Sequence, residues 1–358
     1  MLGPVRKYGF INAKLRARIS RLLPQDITEK LIKAPSLDEA VGCLRDTPFG
    51  VIEKVYRQTG DLKKGELELF KYEVDLYGEL EKYVQGRPLE VVRGLAAYYE
   101  IENLKNALRL FFDRTIRKRN IEDGIQYLYR QSILYHIPVD AIINSDTMEQ
   151  VDELLQDTPY AEVIERYGHT VARDRSIFFL EVGLDHFYYD NLMSKLEQLS
   201  GFDRKNALVL VGVEIDLKNI NWLVRFRNFY NLPLEQALSL IIPRGTHLSP
   251  GMVEQVYTSQ NVSQVLSQVI EKNYPGVVSM LSGFEKEQKD IYSRLLLIQR
   301  TLEAVMMHQV SRVMGGYPFT IGIVLCYFIL KKKEVNKVQT ILNAKKYHIP
   351  EERIRRLL

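Results

Sequence analysis

Apolar side chains recur at 3-4-3 spacing in three stretches of the chain: Leu67, Phe70, Val74 and Tyr77; Ile177, Leu180, Leu184 and Phe187; Leu295, Ile298, Leu302 and Val305. That spacing puts each set on one stripe of a helix, as a packed seam. The polar positions agree as well. An acid follows the third apolar residue each time (Asp75, Asp185, Glu303), and the next seam position is polar (Glu81, Asn191, Gln309). An earlier stripe of Ile11, Leu15, Ile19 and Leu22/Leu23, with Lys14, Arg16, Arg18 and Arg21 elsewhere, predicts a basic amphipathic helix that Pro24 ends. No stretch carries a convincing period-two strand pattern. The expected fold class is all-α.

The seams belong to a longer repeat. Asp46-Thr47-Pro48-Phe49 returns 111 residues on as Asp157-Thr158-Pro159-Tyr160, and Ser36 to Ala40 returns as Thr147 to Val151. Both copies read as helix starts, with Asp or Thr capping free N–H groups and Pro at the first helical position. A third, weaker copy runs from Val262 to Pro275. Glu100 to Asn103 with Arg109 aligns with Asp216 to Asn219 with Arg225, and then with Glu334 to Lys337 and Asn343. The chain therefore divides into an N-terminal helix over 1–22 and helical domains over 23–136, 137–248 and 249–358. Units of this size bury their own cores, so they are domains rather than solenoid repeats. Their similarity predicts a curved or closed pseudo-threefold arrangement.

Composition adds bounds. Of the 358 residues, 46% are hydrophobic and 26% charged, ordinary for a folded chain, and a net charge of +4 is too mild to argue for nucleic acid. Cys43 and Cys326 lie far apart and suggest a reducing compartment without a disulfide framework. Residues 1–21 lack the apolar core of a signal peptide. Phe319 to Leu330 is 12 residues of apolar sequence, against about 20 needed to cross a bilayer, and predicts a buried helix.

The search for reactive chemistry finds little. The chain has no G-x-x-x-x-G-K-[ST], no G-x-G-x-x-G after a strand, no H-E-x-x-H and no G-x-S-x-G. Its six histidines never fall at i, i+3 or i+4 spacing. Neither a catalytic residue, a metal ligand nor a cofactor site is expected. The repeated acids suit ion pairing on helix flanks better than general-acid catalysis. The trio Glu81, Asn191 and Gln309 leaves two readings open: the seam leaves the core at that turn, or it faces a polar lumen. Arg109 and Arg225 are expected to pair with repeat acids, with partner contact as the other reading. The 21 tyrosines fall at helical spacings beside apolar residues, which favours packing over base stacking.

Several motifs together resemble a known family. They are Tyr8 with Lys14-Leu15-Arg16-Ala17-Arg18 and Leu22-Leu23; Trp222 to Arg227 with Tyr230-Asn231-Leu232-Pro233 and Ile241 to Gly245; and Pro318 to Ile321 with Lys333-Glu334-Val335 and Ile349 to Leu358. They resemble the C-type subunit of archaeal and bacterial A/V-type ATPases, the counterpart of the d-type subunit in eukaryotic V-ATPases, across essentially the whole chain. The resemblance implies a funnel of three helical domains about a pseudo-threefold axis. It implies a non-catalytic rotor adaptor that sockets the central stalk (D and F type subunits) onto the proteolipid ring, peripheral on the cytoplasmic face of the membrane. Nucleic acid and small-molecule substrates are not expected partners. Glu81, Asn191, Gln309, Arg109 and Arg225 are the candidate partner contacts. A helical scaffold binding peptide or nucleic acid through a basic concave face is the alternative, and a helical enzyme comes third.

Overall fold

The computed structural model describes residues 2–228, 230–259, 268, 271–272 and 291–358. Among them every regular element is a helix and no strand occurs. In chain order the first ten helices are α1 (Leu2–Ile19), α2 (Gln25–Lys33), α3 (Leu37–Gly42), α4 (Gly50–Thr59), α5 (Leu62–Glu81), α6 (Arg87–Thr115), α7 (Glu122–Ile125), α8 (Val139–Asn144), α9 (Met148–Leu155) and α10 (Ala161–Arg173). Then come α11 (Phe178–Glu197), α12 (Gly201–Asn228), α13 (Leu234–Ser239), α14 (Pro250–Thr258), α15 (Ile291–Gly315), α16 (Gly322–Lys346) and α17 (Glu351–Leu357). Apart from residues 268 and 271–272, the third repeat copy over Val262 to Pro275 lies outside the described residues, and so do the side chains of Leu295 and Ile298.

The helices form two compact units. One comprises residues 16–195, 330–356 and 358; the other comprises 1–15, 196–329 and 357. In the first, α4 packs along α5, and Gly65 permits the approach: a Cβ there would sit 3.1 Å from the Ile52 backbone. Leu31, Ile32, Val41, Leu44, Phe49, Ile52 and Leu69 form one core with Val338, Ile341, Leu342 and Ile354. Helices near the N-terminus are thus completed by α17 and the C-terminal half of α16. In the same unit α6 packs on α5 and α8, and α9 on α10.

In the second unit α12 packs on α14 and α15. The apolar start of α16, Ile321 to Phe328, is buried, and so are Tyr8, Ile11 and Leu15 of α1. Asp203 in the first turn of α12 fastens α1 by accepting from the Tyr8 hydroxyl at 2.6 Å, and it also accepts the Ile321 N–H at 2.8 Å. Burial and that carboxylate push the Tyr8 hydroxyl pKa far up. No helix among the described residues is long and apolar enough to cross a membrane.

Val74, Leu184 and Leu302, the matching seam positions, are all buried. The Thr-Pro segments differ from expectation in detail. Thr47 and Thr158 do not cap helices; α4 and α10 begin only at Gly50 and Ala161. Each hydroxyl instead donates to a preceding carbonyl at 2.7 Å (Leu44, Leu155) and accepts the N–H of Phe49 or Tyr160. This local side-chain bonding competes with helix formation and delays it. Upstream, Ser36 and Thr147 do cap α3 and α9, accepting from Glu39 N–H and Gln150 N–H.

Leu342→Ala removes a fully buried side chain from the core shared by the N-terminal helices and α16. It should lower unfolding free energy by about 2–5 kcal/mol in a denaturant titration.

Candidate functional site

The features that recur between distant helices are buried carboxylates gripping backbone. In α6, Glu100 is 2% exposed, and its Oε2 accepts the N–H groups of Leu134 at 2.7 Å and Tyr135 at 2.8 Å. Its Oε1 accepts the Tyr160 hydroxyl at 2.7 Å, and burial followed by this carboxylate raises the tyrosine pKa strongly. Three residues on, Asn103 donates to the Tyr129 carbonyl at 2.7 Å and accepts its N–H at 3.0 Å. One turn of α6 thereby fixes the segment that runs into Ile137-Pro138 and α8.

The other unit repeats the arrangement with different lengths. Asp216 of α12 accepts the N–H groups of Thr246 at 3.0 Å, His247 at 2.7 Å and Leu248 at 3.2 Å. Asn219 donates to the Ile242 carbonyl at 2.8 Å and accepts its N–H at 2.9 Å. Gly245 is needed here, because a Cβ at that position would lie 2.1 Å from Asp216 Oδ1. Burial raises the Asp216 pKa to about 6 even though the three backbone donors pull the other way.

The third copy of the acid, Glu334 in α16, accepts the N–H of Leu23, directly before Pro24 and α2. The partner asparagine is absent, since Lys337 stands in its place. A buried ion cluster is present instead. Lys331 Nζ lies 2.9 Å from Glu334 Oε2, 3.7 Å from Glu73 Oε1 of α5 and 4.0 Å from the centre of the Phe49 ring. Both Glu73 oxygens lack hydrogen-bond partners, and the side chain is 3% exposed. Burial lifts the Glu73 pKa to about 7; Lys331 and Arg18 oppose the rise and Glu334 adds to it. A second buried lysine, Lys105 of α6, pairs with Asp185 at 2.5 Å and Glu102 at 3.1 Å. Burial would lower its pKa, but the two acids overcome that and raise it.

The predicted contact residues take varied places. Arg109 is exposed and pairs with Glu181, while Arg225 is exposed on α12. Glu81 is half-buried and 3.3 Å from Arg93; Asn191 is half-buried; Gln309 is 5% exposed with Oε1 unpartnered. Of the repeated acids, Asp185 engages Lys105, whereas Asp75 is exposed. The carboxylate–asparagine grips were visible as an aligned Glu100…Asn103 and Asp216…Asn219 pattern, to which sequence reasoning gave no role. Among the described residues no group of three or more His, Cys, Asp or Glu is placed to hold a metal. The arrangement joins helices to the segments that enter them.

Comparison with known proteins gives one consistent result. The sequence model described as ATP synthase (C/AC39) subunit matches residues 11–357. The chain is similar to the C-type subunit of the A-type ATP synthase of Methanocaldococcus jannaschii, 24% identical over 98% of this chain and 86% of that protein. It is similarly related to proteins of the same name from Methanosphaera stadtmanae (22%; 98% and 87% covered) and Pyrococcus horikoshii (21%; 98% and 90% covered).

Asn219→Ala should destabilise the chain by about 1–3 kcal/mol for each Ile242 backbone group it orphans, read by chemical denaturation. Glu73 gives a pH test. Its folded pKa of about 7 exceeds the ordinary 4.5, so between those values the folded chain holds a proton that the unfolded chain has released. Stability from this group therefore falls as pH rises through that window and is level above it. Glu73→Gln should flatten that slope and stabilise the protein above neutrality by up to about 3 kcal/mol, measured by thermal unfolding across pH.

Proposed function

The chain belongs to the ATP synthase (C/AC39) subunit family, and from that premise we propose that this subunit of a rotary A/V-type ATPase complex is its non-catalytic rotor adaptor. In this reading it sockets the central stalk, of D and F type subunits, onto the proteolipid ring at the cytoplasmic face of the membrane. It transmits torque between ATP hydrolysis or synthesis and ion translocation. The observation that carries the reading is a family match covering nearly the whole chain, residues 11–357. The absence from the sequence of a P-loop, with its phosphate-cradling glycines and lysine, is in keeping with nucleotide chemistry residing in other subunits.

The reading includes three domains, 23–136, 137–248 and 249–358, after an N-terminal helix over 1–22, in a pseudo-threefold funnel. Supporting this is the recurrence of the acid grip at Glu100, Asp216 and Glu334, each holding the backbone just before the first helix of a repeat. The third grips the start of the first repeat, as a cyclic order of domains requires. Partner contact is assigned to Glu81, Asn191, Gln309, Arg109 and Arg225, of which Arg109 and Arg225 are exposed.

The test is reconstitution of the complex with and without this chain. Without it, ATP hydrolysis by the catalytic head should continue while ion transport stops. Arg225→Glu, with helical content intact by circular dichroism, should slow stalk association, as charge reversal at an exposed contact does. Transport that stays coupled without the chain would refute the adaptor role, and micromolar ATP binding by the isolated chain would refute the non-catalytic assignment.

A further inference from the structure

The turns that join consecutive long helices carry exposed aromatic rings that the core does not use. In the unit containing residues 196–329, Phe202 follows the α11–α12 turn and is 62% exposed. Its ring lies 5.8 Å from that of Tyr317, 42% exposed, in the α15–α16 turn, and Tyr317 in turn lies 5.8 Å from the half-buried Phe319. Two turns distant in sequence thus present one aromatic cluster. The turns are held together beneath it, because Asp203 accepts the Ile321 N–H and Asn206 donates to the Thr320 hydroxyl at 3.3 Å. The rings are therefore fixed in place while facing solvent. A rigid, exposed apolar cluster of this kind marks a contact surface.

Charge narrows what the surface contacts. Residues 1–15 and 304–329, which belong to this unit, contain no Asp or Glu. Asp203, which follows Phe202, is occupied by Tyr8, Ile321 and Lys7, the last at 3.3 Å. Arg204 and Lys205, next along the same helix, are both exposed and add positive charge beside the rings. The turn between α5 and α6 has the same makeup, with exposed Tyr83 between Lys82 and Arg87. Aromatic rings whose bodies enter the acyl boundary, with bases at headgroup level, are the chemistry of interfacial membrane contact.

We propose that Phe202 and Tyr317, with Arg204 and Lys205, form a contact for an anionic phospholipid surface. Phe202 would insert its ring, Tyr317 would place its hydroxyl among the headgroups, and the two bases would pair with lipid phosphates. The proposal concerns the chain alone and does not depend on the adaptor reading, because lipid contact requires neither stalk nor ring.

Flotation of the purified full-length chain with protein-free vesicles tests it. Vesicles containing phosphatidylglycerol should carry the protein, vesicles of phosphatidylcholine alone should carry much less, and high salt should weaken the binding. The pair F202S/Y317S should lower partitioning about tenfold or more, and R204E/K205E should lower it by about fivefold or more for each base. Tyr347→Ser, at a 69% exposed tyrosine of the other unit, is the control and should change nothing. Circular dichroism must show each variant folded; if F202S/Y317S unfolds, Phe202→Tyr and Tyr317→Gln are read separately. No vesicle binding, equal binding to neutral vesicles, or equal loss with Tyr347→Ser would overturn the proposal. Binding only to a purified proteolipid ring, and not to protein-free vesicles, would overturn it too and make the patch a protein contact.

Discussion

A carboxylate buried midway along a helix is costly unless hydrogen-bond donors come to it, and a helix interior has none of its own to spare. That constraint organises this chain. Glu100 draws in the backbone at Leu134 and Tyr135, Asp216 the backbone at Thr246 to Leu248, and Glu334 the backbone at Leu23. In each case the captured segment is the one entering the first short helix of a repeat, so the acid decides where that helix starts. Asn103 and Asn219 fix register by taking both the N–H and the carbonyl of one residue. A one-residue slip would orphan several buried polar groups together, at about 1–3 kcal/mol each.

The three grips solve the same problem with different chemistry. Glu100 shares its charge between two N–H groups and a tyrosine hydroxyl. Asp216 has only backbone donors, and burial wins over them enough to lift its pKa. At Glu334 the captured N–H is joined by Lys331, whose counterparts three residues before Glu100 and Asp216 are Ala97 and Val213. The ammonium brings a problem of its own. Glu73, whose seam counterpart is Gly183, is buried beside it without a hydrogen bond. Two carboxylates around one ammonium leave a negative charge or a proton in the core, and such clusters give little net stability. The cluster that joins α16 to the N-terminal segment is therefore sensitive to pH.

Much of the helical order was legible because burial imposes a period. Val74, Leu184 and Leu302 mark seams for the same reason that they are buried, and Ile321 to Phe328 reads as a core helix because nothing charged interrupts it. Partners were not legible. The acceptors at Glu100 and Asp216 are aligned in sequence, but their donors sit in irregular segments some thirty residues on, where no periodicity points back to them. Thr47 and Thr158 misled for a local reason: a threonine before proline can cap a helix or brace a turn, and both uses need the same residues. Exposure of the polar seam positions was equally hidden. Glu81, Asn191 and Gln309 share a register but not a degree of burial, because what covers each differs from one copy to the next.

Under the proposed adaptor role, the mechanical question is where the chain would give under load. Loose loops between helical units would absorb torque by bending. Here the segments entering the repeats are not loose: their N–H groups are fastened directly to carboxylates carried on long helices, and the helices are held by apolar cores. Directional hydrogen bonds resist the sliding that apolar contacts alone permit, since apolar contact is indifferent to small displacements. The grip at Leu23 matters most in this respect. It fastens the beginning of the first repeat to the last long helix through Glu334, and the core built from Leu31, Val41 and Phe49 with Val338, Leu342 and Ile354 lies around the same junction. Load reaching this junction would therefore meet helices tied by both kinds of contact, which is what the proposed adaptor role asks of it.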